Sequence, residues 1–136
     1  MSDKSDIGSI SGEVISGYSR AQAIEDGALV DVSETALKMG IKFPVAVTRA
    51  VWCDCIEWSD EDSKRQIPQD ETGRLRVVLT MLRCAATQDG EEVIFPVVRI
   101  PRDGKHMLPR CATLVAVCGP GDDAEPVVTV MQPGED

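Results

Sequence analysis

The spacing of apolar residues changes character at Asp89-Gly90, and that change narrows the class of fold open to the chain. Upstream, Leu75, Val78, Leu79, Leu82, Ala85 and Ala86 recur at three and four residues. This predicts a helix from about Thr72 to Ala86 with one apolar face, and with Arg74, Arg76 and Arg83 reaching solvent. Downstream, β-branched residues come in short runs, Val93 to Ile100, Thr113 to Cys118 and Val127 to Met131, which predict strands. Cys111 to Gly119 and Pro126 to Gln132 flank a cluster of Gly, Pro and Asp, the pattern of a hairpin with a several-residue turn. Pro96 makes the first run an edge strand or a bulged one. Helices first and antiparallel strands afterwards imply an α+β fold, with N-terminal helices packed on one face of a small C-terminal antiparallel β-sheet.

The first half adds shorter elements. Met1 to Gly17, rich in Ser and Gly, is expected to be an irregular lead-in, and residues 18–136 a single domain. Ser19 and Gln22 have the spacing of a capping box, and Gly27 supplies a stop, so a short helix should run from Arg20 to Asp26. Ser33 is placed to cap a second helix through Ala36 and Leu37 to Gly40, after which Pro44 interrupts. Thr48 is placed to cap a third, carrying Val51, Trp52, Cys55, Ile56 and Trp58. Ser59 to Asp70, dense in charge and closed by Pro68, reads as an exposed connection.

At 136 residues the chain can bury roughly two thirds of its unfolded surface without metal or disulfide staples. Aromatic residues make up only 4%, so Trp52, Trp58, Phe43 and Phe95 become the bulky anchors. No apolar run reaches the roughly 18 residues of a membrane span, and Met1 to Ser11 lacks the apolar segment of a signal peptide. The expectation is a cytoplasmic protein. Five cysteines, an odd number lying in apolar stretches, read mostly as small buried hydrophobes in a reducing compartment. A net charge of −9 argues against direct binding of nucleic acid, although Arg99 to Arg110, with His106, is locally basic.

Candidates for catalysis lack partners. There is one histidine and no nucleophile elbow, zinc-protease motif or Gly-rich phosphate loop. Cys53-x-Cys55 does not have zinc-ligand spacing, and its readings are a structural role or, against it, redox chemistry or chance metal binding. The expectation is a protein that is not an enzyme and carries no cofactor and no metal. Two acidic stretches stand out instead: Asp60, Glu61 and Asp62 after Trp58, and Asp122, Asp123 and Glu125 in the hairpin turn. Each reads either as a solvated turn or as a surface offered to a basic partner, another protein that itself binds nucleic acid. The alternative is a small enzyme or ligand-binding domain built around Arg20, the Trp52 and Trp58 region and the acidic turn.

Four strings together carry a resemblance: Tyr18 to Gly27, Leu29 to Ala36, Phe43 to Thr48, and Pro120 to Asp123 with Glu125-Pro126. On these the chain resembles an uncharacterised family of small acidic bacterial proteins carried on plasmids and integrated mobile elements. The resemblance spans most of the chain after the lead-in and implies a genomic setting, not a chemistry. It leads to the expectation of a non-enzymatic accessory protein acting by protein–protein contact, for instance by blunting a restriction or CRISPR complex.

Overall fold

The computed structural model describes residues 18–85 and 92–135. The lead-in, Ala86 and the Asp89-Gly90 turn lie outside the described residues. In chain order the elements are α1 (Arg20–Asp26), β1 (Leu29–Asp31), α2 (Ser33–Lys38), β2 (Val45–Thr48), α3 (Arg49–Val51) running into a π turn (Trp52–Ile56), α4 (Asp60–Arg65), α5 (Glu71–Ala85), β3 (Glu92–Arg99), β4 (Arg110–Pro120) and β5 (Pro126–Met131). The fold is α+β as expected. Its sheet has five strands in the order β1-β2-β5-β4-β3, antiparallel throughout except where β2 runs parallel to β5.

Strand alternation sets the core. Val45, Val47, Val130, Ala116, Leu114, Phe95 and Val97 point to one side of the sheet and are buried against α5 and the π turn. Leu75, Val78, Leu79 and Leu82 supply the facing helical stripe, as their spacing predicts. Each such side chain contributes about 1.5 to 3 kcal/mol on burial. The short helix α1 serves the opposite side. Its Arg20 reaches Thr129, which alternates with the core-facing Val128 and Val130.

Several expectations need correcting. The segment after Trp58 is not an exposed connection: Asp60–Arg65 is helical and buries Asp62, and the adjoining Gln66 is buried too. It has no apolar stripe. A capping box between Ser59 and Asp62 holds it, with three carboxylates in its first turn and Lys64 and Arg65 in its last, where the helix dipole favours each sign. The Thr48 cap is present, but the helix it starts makes one α turn and then widens into the π turn. Ser33 is the first residue of α2, not its cap; its hydroxyl donates to Asp31 at 2.6 Å and accepts from the Val45 amide at 3.0 Å. Arg74 does not reach solvent and is 4% exposed. Of the five cysteines only Cys55 is buried. Among the described residues no helix is long and apolar enough to cross a membrane.

Candidate functional site

Two regions concentrate polar chemistry. At the first, the locally basic segment Arg99 to Arg110 meets the acidic helix α4. Arg102 pairs with Asp62 and, at 3.1 Å, with Glu57. Gln66 donates to the carbonyls of Pro101 and His106 and accepts from the Gly104 amide, so α4 anchors the whole loop between β3 and β4. Burial pushes the Asp62 carboxyl up, but the Ser59 amide, Arg102 and the Ser59 hydroxyl outweigh it and hold the group at about 2. Asp103 sits at about 2 as well, because it accepts from the amides of His106 and Lys105 and contacts the His106 ring.

Arg74 is the hub behind this loop. Its Nε donates to Ile56 O at 3.1 Å, its Nη1 to Gln69 Oε1 at 2.8 Å and Ile100 O at 3.0 Å, and its Nη2 to Asp54 O at 3.3 Å. The guanidinium lies 4.5 Å from the centre of the Trp58 ring, whose indole N–H donates to Ser63. One cation therefore satisfies carbonyls of the π turn and of the end of β3. Sequence reading missed it because charge was taken to mean solvent, although Arg74 lies one helical turn before Val78 and borders the apolar stripe. Next to it, Arg99 pairs with Asp54 at 3.0 Å and donates to Arg110 O, while its Nε is buried with no acceptor. Such a group costs about 1 to 3 kcal/mol. Cys55 and Gln69, Asp70 and Gly73, Val77 and Val98 join the two arginines around a cavity of about 290 Å³. Burial, then Asp54, pushes the Cys55 thiol up to about 12, so it stays neutral.

The second region is the β4–β5 turn. Asp122 reaches across to α1 and accepts from the amides of Arg20 at 2.8 Å and Ala21 at 3.0 Å, satisfying donors that the helix start leaves open. Glu125 folds back over the turn and accepts from the Asp123 amide at 2.9 Å. Gly121 makes room for this, since a Cβ there would lie 2.6 Å from the Glu125 carboxyl carbon. Ala124 adopts a left-handed φ of 64°, a strained conformation for a residue with a Cβ. The Arg20 guanidinium is tied to Thr129 and to Val128 O. Burial lowers its pKa against the pull of Asp31, Asp122 and Glu125. These carboxylates line a cleft of about 200 Å³ together with Arg20, Ala21, Ile24, Ser33, Pro44 and Val127.

Of the six acidic residues singled out from sequence, the structure groups Asp122, Asp123 and Glu125 on one exposed turn. Asp60 and Glu61 are exposed on α4, and Asp62 is turned inward as a capping and ion-pairing group. Arg20 and the acidic turn meet, but Trp52 and Trp58 do not line their cleft. Among the described residues no group of three or more His, Cys, Asp or Glu is arranged to hold a metal ion.

A family model matches residues 9–136, nearly the whole chain. The chain belongs to DUF6573, a family of unknown function. No curated protein and no solved structure matches it. In this DUF6573 chain the acid-lined cleft draws on all four strings noted above: Arg20 and Ile24 from the first, Asp31 and Ser33 from the second, Pro44 from the third, and Asp122 and Glu125 from the fourth.

Proposed function

We propose that this chain is a non-enzymatic interaction protein whose acidic turn, Asp122-Asp123 with Glu125, engages a basic surface on another protein. The observation that carries the reading is the exposed, strained turn itself. It carries three carboxylates, two of which, Asp122 and Glu125, line a cleft, and it is fixed to α1 through Asp122 and held at φ 64° at Ala124. Backbone strain of this kind costs about 1 to 3 kcal/mol and persists where the surroundings impose it. The net charge of −9 supports the same reading, because Arg74, Arg99 and Arg102 are engaged within the molecule. In its finer form the proposal is a bacterial accessory protein of a plasmid or other mobile element. It acts in the cytoplasm and occupies the nucleic-acid groove of a host defence complex.

The test is capture of partners from a bacterial lysate, followed by association kinetics with the partner identified. Attraction between exposed charges is screened over about 8 Å at physiological ionic strength, so association should slow steeply with added salt. Asp123→Asn with Glu125→Gln should slow it further at low salt. Association that is flat in salt and unchanged in the double variant would rule the reading out.

A further inference from the structure

The outer face of the sheet, opposite the core, is covered on one side and bare on the other among the described residues. Strand alternation puts Ile94, Pro96 and Val98 of β3 on this face, opposite Val115, Thr113 and Cys111 of β4. Ile94 is 68% and Val98 53% exposed, and Pro96, Thr113 and Cys111 are exposed as well. Apart from Glu92 at one end, this part of the face carries no charged residue. Over β5 the same face is covered by α1, where Arg20 bonds Thr129 and Ile24 shares a cleft with Val127. The helix that packs on β3 is α5, and it lies on the core side. We propose that residues 9–17 of this chain cover the bare part of the face. The inference does not depend on what the acidic turn binds.

The point of entry into α1 selects this occupant. The amides of Arg20 and Ala21 sit on Asp122, in the turn that joins β4 to β5. Residues before α1 therefore leave from the border of the bare face, at the end where β3 begins. Their reach is sufficient. β3 and β4 pair over eight residues, about 27 Å at roughly 3.4 Å each, and nine residues span up to about 30 Å. Their composition suits an apolar surface, since Ile10, Val14 and Ile15 are accompanied by one charge, Glu13. The family match begins at residue 9, so the same nine residues belong to the matched unit.

A second copy of the chain fits this face less well. Eight residues on two strands present roughly 270 Å², whereas a stable interface takes about 800 Å² from each partner. Two copies, each with a net charge of −9, also repel one another.

Cys111 provides the test, because it stands on this face opposite Val98, whereas Cys53 is an exposed thiol on the π turn. In the full chain iodoacetamide should alkylate Cys111 about tenfold more slowly than in the variant Ile10→Asp with Val14→Asp, as followed by peptide mass spectrometry. Cys53 should react at one rate in both. Ile10→Leu with Val14→Leu should keep the protection of Cys111. Methyl NOEs from Ile10 or Val14 to Ile94 or Val98 should appear in the parent and persist on dilution. Equal Cys111 rates in the parent and the Asp variant, or absence of those NOEs, overturns the proposal. So does protection that vanishes on dilution, which would make the occupant a second copy.

Discussion

The two ends of this molecule use the same residue types to opposite effect. Around α4 and the β3–β4 loop, carboxylates and arginines face inward and satisfy one another: Asp62 with Arg102, Asp54 with Arg99, and the carbonyls of the π turn with Arg74. At the β4–β5 turn the guanidinium of Arg20 is tied to Thr129 and Val128, and the carboxylates of Asp123 and Glu125 stand at the surface. Charge that is matched within the chain orders a loop and a helix lacking an apolar stripe. Charge left at the surface is available to a partner. The locally basic run and the acidic helix, some forty residues apart in sequence, meet through Arg102 and Asp62.

The sharpest way to break this contrast is to remove the hub. Arg74→Leu leaves the carbonyls of Ile56, Ile100 and Asp54 without their donor, so it should cost about 3 to 5 kcal/mol in urea unfolding. A loss below about 1 kcal/mol would mean that the network contributes little. Leu79→Ala provides the apolar yardstick. Leu79 is fully buried within the stripe that meets the sheet, and its truncation should cost about 2 to 5 kcal/mol by leaving a cavity. An unchanged denaturation midpoint would remove α5 from the core.

Acid titration sharpens the comparison next. Asp62 and Asp103 are both depressed to about 2, below the roughly 3.9 of an unfolded aspartate. A depressed carboxyl contributes stability that is fully present above the unfolded value and is lost as pH falls through the folded one. Stability should therefore drop between about pH 4 and pH 2, and Asp62→Asn should flatten that drop. An acid limb of the same slope in the variant would contradict the inward role of Asp62.

How much of this was legible in the sequence follows from how each element is held. The capped helix α1 and the apolar helix α5 are specified by local signals, the capping box at Ser19 and the stripe from Leu75 to Leu82, and both appear within a residue of where those signals put them. The C-terminal strands follow from β-branched runs in the same way. β1 and β2 did not show because three and four residues are too few for an alternating pattern, and β2 is buried on both faces. α4 was hidden for the opposite reason. It has no apolar period, and its stability comes from caps, charge order and contacts some forty residues away in sequence. The acidic turn was recognised as a string of residues. Its attachment to α1, across about a hundred residues, was not.

The smallest effects make the most direct test, because they set the two kinds of carboxylate side by side. Asp62→Ala and Asp123→Ala should be compared by urea unfolding at neutral pH under one set of conditions. Asp62→Ala strips the Ser59 amide and Arg102 of their acceptor and should cost about 1 to 3 kcal/mol. No hydrogen bond holds the Asp123 carboxylate among the described residues, so Asp123→Ala should stay within about 0.5 kcal/mol of the parent. Equal losses in the two variants, or a larger one at Asp123, would contradict the division between internal and presented charge.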